Sequence, residues 1–245
     1  MRFFKILTTV LVTVLFAACN FTEEIYFNED GSGKMSIIFD GSEMMQMIPD
    51  SDSTQLDKAI DSTLVFKDLL REKKDSIAQL SPEEQAKLKK LEPFSLHMKV
   101  DPEGGVMNFD MYTDFKKVSD VNDAFNAFQN ASAVGPIAGG KSMPGGATEE
   151  TTTVNYSFDK NTFKRETVIL DQELFEKSLD SLASAEMFLS SSTYTFKYHF
   201  PRRVKSTNIE EATFSMDGKT MVHEVNFLQM MKDPESMVIE VELEK

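Results

Sequence analysis

Phe94-Ser95-Leu96-His97-Met98-Lys99-Val100-Asp101 alternates apolar and polar residues without a break. Asp101-Pro102-Glu103-Gly104-Gly105 follows, rich in turn formers. Met107, Phe109, Met111 and Phe115 then alternate with Asn108, Asp110, Tyr112 and Asp114. A period of two puts one set of side chains on one face of a strand. The stretch therefore predicts a hairpin with one buried and one wet face, as antiparallel sheets have.

The same pattern recurs on both sides of it. Ile25 and Phe27 alternate, Asn28-Glu29-Asp30-Gly31-Ser32-Gly33 turns, and Met35, Ile37 and Phe39 alternate again, so Glu24 to Phe39 reads as a hairpin. Val154, Tyr156 and Phe158 predict a strand, Asp159-Lys160-Asn161 a turn, and Phe163 to Ile169 the return. Tyr194, Phe196, Tyr198 and Phe200 alternate up to Pro201. Ala212, Phe214 and Met216 lead into the tight turn Asp217-Gly218, and Thr220 to Val225 returns. Met237, Ile239, Val241 and Leu243 predict the last strand.

Helical signals fall between these strands. They run from about Leu56 to Leu80, with a β-branched break at Ser62 to Phe66. Ser81-Pro82-Glu83-Glu84 starts a further helix to about Leu91 with a Ser cap, Pro at the first position and acid in the first turn. Val121, Phe125 and Phe128 mark an amphipathic helix capped near Ser119. Asp171 caps another through Leu174, Phe175, Leu179 and Leu182 to about Leu189. About ten strands and four helices, with the strands mostly in hairpins, predict an α+β fold on a mainly antiparallel sheet.

The start of the chain speaks to location. Arg2 and Lys5 precede an apolar run of 13 residues, Ile6 to Ala18, and Ala17-Ala18 precede Cys19. That is the plan of a secretory signal peptide, and it is too short for a relaxed span of about 20 residues. Small residues before a single Cys resemble the lipobox of bacterial lipoproteins, although Phe16 stands where that motif usually has Leu. The resemblance implies that a diacylglyceryl group joins the Cys19 thiol, that the chain is cut before it, and that the new amine is acylated. Two or more chains hold stably where one holds weakly. The expected organisation is a signal peptide over 1–18, an acylated Cys and tether over 19–23, and one α+β domain over 24–245. A small, Gly-rich, aperiodic and mobile loop is expected over 131–151. Cleavage leaves 227 residues and takes the formal charge from −14 to −16, because Arg2 and Lys5 leave. So acidic a chain does not suit nucleic acid or anionic head groups. Cys19 is the only cysteine, so packing alone must hold the mature chain.

Chemistry-bearing motifs are few. Asn28 to Phe39 fails as a calcium loop, because Phe39 stands where the closing Glu belongs. Gly135-Pro136-Ile137-Ala138-Gly139-Gly140-Lys141-Ser142 fits the phosphate-loop spelling GxxxxGK[ST]. Such a loop needs a strand before it and a helix after it. Here a helix precedes and Met143-Pro144-Gly145-Gly146 follows, so the match reads as a coincidence. His97, His199 and His223 each fall on a predicted strand, His97 and His199 on polar faces, with no zinc-ligand spacing. No nucleophile–base order appears. The expectation is no catalytic residue, no metal and no cofactor. Met44, Met45 and Met47 cluster after the first hairpin, and Met230-Met231 lies between strands. Thioethers bind Cu(I), but packing beneath loops is the commoner use, and an adaptable apolar surface is the other.

A second resemblance covers the two ends of the mature chain and not its helical middle. An acylated Cys precedes a hairpin turning at Asp30-Gly31-Ser32-Gly33, and Tyr198-His199-Phe200-Pro201 precedes an Asp217-Gly218 hairpin and a closing Val-Glu strand. This is similar to lipoproteins with an LppM-type domain, and it implies an α+β envelope module with a proposed lipid-binding role. The reading is a non-catalytic binding module, held on the extracytoplasmic side of the envelope by its lipid, in the outer membrane. Its partner is the membrane, with a lipid or protein segment as ligand and Met44, Met45 and Met47 as the candidate apolar surface. The alternative is a structural or surface-interaction lipoprotein with no small ligand.

Overall fold

The computed structural model describes residues 20–45, 59–134 and 150–245. The strands are β1 (Asn20–Phe27), β2 (Gly33–Asp40), β3 (Ile60–Val65), β4 (Ser95–Asp101), β5 (Val106–Phe115), β6 (Thr152–Asp159), β7 (Thr162–Ile169), β8 (Thr193–His199), β9 (Val204–Thr207), β10 (Thr213–Phe214), β11 (Thr220–Asn226) and β12 (Ile239–Leu243). The α-helices are α1 (Ser42–Met45), α2 (Phe66–Glu72), α3 (Lys74–Ile77), α4 (Pro82–Lys90), α5 (Ala124–Val134), α6 (Gln172–Leu189) and α7 (Phe227–Lys232). The fold is α+β, as the alternation predicts, with four described helices of seven residues or more. No helix among the described residues is long and apolar enough to cross a membrane.

The larger sheet has eight strands in the order β10-β11-β8-β1-β2-β5-β4-β3. All neighbours are antiparallel except β1 and β8, which run parallel with Glu23 opposite Phe196. The smaller sheet has the order β6-β7-β12-β9 and is antiparallel throughout. The two sheets meet through aromatic side chains. Phe163 of β7 lies 5.2 Å from Phe27 and 4.9 Å from Tyr198, both edge-on, a geometry that rings prefer over a face-to-face sandwich. Phe21 is enclosed by Phe39, Phe125 of α5, Tyr194 and Phe227 of α7.

Local signals explain several boundaries. Ser81 and Glu84 form a reciprocal capping box at α4, and the Asp171 carboxylate accepts from Leu174 N at 2.9 Å at the head of α6. Gly31 takes φ +81° in the first turn, and a Cβ on Gly33 would collide with the Tyr26 carbonyl oxygen and the Phe115 ring.

Other expectations are corrected. Asn20 to Glu23 is not a tether, because these residues form the first half of β1 and pair with both β2 and β8. Phe21 and Glu23 continue the inward set of Ile25 and Phe27. The helix read from Ser119 starts later. Val118–Val121 is a 3-10 turn, and α5 begins after Asp123, whose φ of 62° breaks the helix. Asp123 is held there by β6: its carboxylate accepts from Thr153 Oγ1 and Val154 N, which also covers the edge of the smaller sheet. The loop expected over 131–151 is partly helical, since α5 continues to Val134; residues 135–149 lie outside the described residues. The β-branched break near Ser62 is a full strand, β3, rather than an interruption of a helix. Met230-Met231 lies on α7 and not in a loop.

Candidate functional site

A charged residue on the inward face of a strand is costly unless it is paired and hydrogen-bonded. Glu23 is such a residue. It lies between Phe21 and Ile25 on the buried side of β1 and is 0% exposed. The parallel register sets Phe196 opposite it, with Tyr194 and Tyr198 on the same face to either side. Tyr194 Oη donates to Glu23 Oε2 at 2.9 Å, and Tyr198 Oη donates to Oε1 at 2.6 Å. Across the core, Arg165 of β7 donates from Nε to the two oxygens at 3.2 and 3.3 Å. Arg165 Nη1 donates to Thr167 Oγ1 at 3.1 Å and to the Met237 carbonyl at 3.2 Å, and the guanidinium lies 4.7 Å from the Phe196 ring centre.

This cluster joins the two sheets at their middle. Burial works against the Arg165 charge, but Glu23 together with Tyr156, Tyr198 and Tyr194 outweighs it and raises the guanidinium above its usual value. Burial and then the Glu23 charge hold the hydroxyls of Tyr156, Tyr194 and Tyr198 well above the ordinary tyrosine value, so they stay protonated. Tyr156 Oη is buried beside the pair without a well-formed hydrogen bond among the described residues.

Arg165 and Tyr194 also form the floor of a cavity of about 370 Å³. Its lining is mixed: apolar Phe125 of α5, Val154 of β6, Leu174, Phe175 and Leu182 of α6 and Met230 of α7 stand beside polar side chains such as Gln129, Asn130, Thr167 and Ser178. The helical repeat puts Leu174, Phe175, Ser178 and Leu182 on one side of α6. Several of the polar lining groups are already engaged. Asn126 Nδ2 donates to the Thr152 carbonyl at 2.9 Å, and Glu150 pairs with Lys90 of α4 at 2.6 Å. Asn130 Nδ2 and Glu150 Oε1 are buried atoms with no partner among the described residues. Such an arrangement encloses an apolar body and offers a few polar contacts, as small-molecule pockets do.

The opposite face of the large sheet is polar. Glu24, the outward neighbour of Glu23, accepts from Tyr26 Oη at 2.9 Å and meets His199 Nε2 at 2.8 Å and Lys197 Nζ at 3.0 Å. Burial pushes the Glu24 carboxyl up, but these three hydrogen bonds outweigh it and hold it below its usual value. Tyr26 stacks on His199 with ring centres 3.9 Å apart. His97, on β4, meets Asp61 at 3.0 Å. His223 points the other way, into the core, where burial lowers its pKa and Phe196 stacks on it. The histidines do not converge, and no group of metal-ligating side chains occurs among the described residues.

Of the residues singled out from the sequence, Cys19 and Met47 lie outside the described residues, as does the Gly135–Ser142 segment. The backbone of Met44 is in α1, and Met45 is partly buried against the core. Met230 and Met231 line the cavity instead. Glu23 and Arg165 escaped sequence reasoning, though each left a signal. Phe21-x-Glu23-x-Ile25-x-Phe27 and Phe163-x-Arg165-x-Thr167 each carry one charge where the alternation calls for a buried side chain.

No family model and no curated protein matches the chain. Among solved structures, the NMR structure of the folded domain of the Mycobacterium tuberculosis LppM protein is similar, at 10% identity over 92% of this chain and 89% of that one, with a TM-score of 0.42. At that TM-score the likeness carries no weight for fold or function.

Proposed function

We propose that this chain is a non-catalytic, lipid-anchored binding module of the cell envelope, held on the extracytoplasmic side of the outer membrane, whose ligand is an apolar molecule or segment. The observation that supports the binding role is the cavity between α5, α6 and the smaller sheet. Its volume of about 370 Å³ falls within the range of about 300–1,000 Å³ found for ligand pockets. Apolar side chains such as Phe125, Val154, Leu182 and Met230 form part of its lining, and burying apolar surface is worth about 25 cal/mol per Å². The ligand site of this proposal is therefore the cavity. Met44, Met45 and Met47 are kept as a second candidate apolar surface.

Two variants test the two halves. Ser178 lies on the cavity side of α6, half-buried, and its hydroxyl donates to the Phe175 carbonyl of its own helix. Ser178→Phe should fill the cavity and weaken binding of 1-decanol at least tenfold, read as a mass adduct on the intact protein. Its melting temperature should stay close to that of the parent. Unchanged decanol binding in a folded Ser178→Phe protein would reject the cavity. No decanol binding by the parent would leave the structural alternative standing. Cys19→Ser should abolish acyl labelling and release the chain from membranes; a labelled, membrane-retained Cys19→Ser protein would reject the anchor.

A further inference from the structure

We infer that the cavity is the seat of an acyl chain carried by the protein itself, one of those joined at Cys19. The inference rests on both halves of the proposed function, the cavity and the anchor. What carries it is their closeness. Phe21 follows Cys19 by two residues, so their Cα atoms lie within about 7 Å of each other. The Phe21 ring meets two rings that line the cavity, Phe125 at 6.0 Å and Tyr194 at 6.3 Å. It also stacks on Phe227 at 4.5 Å. Met230, one turn further along α7 and on the same side, lines the cavity.

The course of β7 places the cavity at the same end of the fold. Phe163 meets Phe27 and Arg165 meets Glu23, so Thr167 lies farther toward Asn20. Arg165 and Thr167 both line the cavity. Its lining therefore begins beside the strand end from which Cys19 leaves. An acyl chain spans about half of a bilayer core of about 30 Å, which covers that distance. The cavity has the size of a pocket for a single ligand, so one chain enters it. A free lipid must arrive by diffusion, whereas a chain joined at Cys19 is always present at an effective concentration on the order of millimolar. Away from a bilayer that chain otherwise faces water, and every methylene withdrawn from water favours the seat. In a bilayer the hydrocarbon core competes for the same chain, so the seat empties as the protein inserts.

The experiment uses the chain from Cys19 onward, the form that the proposed cleavage leaves. Cys19 is its only thiol, so alkylation puts one S-tetradecyl chain there and nowhere else. The probe is 1-decanol, read by native mass spectrometry without detergent. The S-tetradecyl protein should bind decanol at least tenfold more weakly than the reduced free-thiol protein, and it should stay a monomer. Ser178→Phe in the S-tetradecyl protein should expel the chain, read as at least tenfold tighter binding to phosphatidylcholine vesicles. Equal decanol binding by the two forms would overturn the inference and leave the cavity reading intact. Loss of decanol binding through an S-tetradecyl dimer would overturn it as well, because the chain then sits in a neighbouring copy. Unchanged vesicle binding by a folded Ser178→Phe protein would do the same. No decanol binding by the free-thiol protein would reject the cavity itself, and this inference with it. The decanol comparison needs no substitution, so a variant that fails to fold does not obscure it.

Discussion

Glu23→Leu is expected to unfold the domain or to lower its melting temperature by on the order of 10 °C or more. Removing one partner of a buried ion pair costs about 3–5 kcal/mol, because the other charge stays behind uncompensated. Here Arg165 would stay behind, 3% exposed. Two further buried groups, the hydroxyls of Tyr194 and Tyr198, would lose their acceptor. Each orphaned hydroxyl costs about 1–3 kcal/mol. A typical domain has only about 5–15 kcal/mol in hand. Glu23→Gln keeps the shape and one acceptor oxygen, so it should cost less than Glu23→Leu. Thermal and urea melts followed by circular dichroism would give the order. A Glu23→Leu protein within about 1 kcal/mol of the parent would show that the cluster contributes little, which for a surface charge would be ordinary.

Phe21→Ala is expected to cost about 3–5 kcal/mol, the usual range for deleting a large aromatic side chain from a core. Phe21 is 4% exposed and meets five rings from four elements: Phe39 of β2, Phe125 and Phe128 of α5, Tyr194 of β8, and Phe227 of α7. A tether at this position would make the substitution silent. Thr22→Ala, on the outer face one residue on, serves as the control, and its effect should be small. Equal melting curves for Phe21→Ala and Thr22→Ala would return residues 20–23 to the role of a linker.

The features legible in the sequence are those written locally. The β4–β5 and β6–β7 hairpins follow from a period of two around turn-forming residues, and α4 and α6 start where Ser81 and Asp171 supply caps. Long-range partnerships leave no such mark. Nothing near Asn20 announces a parallel neighbour at Thr193, and nothing near Arg165 announces Glu23. The charges at Glu23 and Arg165 interrupt the apolar alternation of β1 and β7, but neither stretch says which partner its charge will meet. Helix α7 spans six residues, too few for a periodic pattern. The cavity is shared among α5, α6, α7 and the smaller sheet, so no single stretch spells it.

The position of β1 sets the order in which the chain completes itself. Its β2 edge is paired by a neighbour a few residues downstream, so the β1–β2 hairpin forms from local contacts. Its other edge belongs to β8, and the Glu23–Tyr194 contact closes over 171 residues. Contacts of such separation form late, because loop closure comes before the reward. Until Thr193 to His199 arrives, β1 is a bare edge carrying Phe21, Ile25 and an unmatched Glu23. Bare edges with apolar faces recruit other chains. A ribosome that stalls before Thr193 would therefore release a product with an open, adhesive flank at its own first strand.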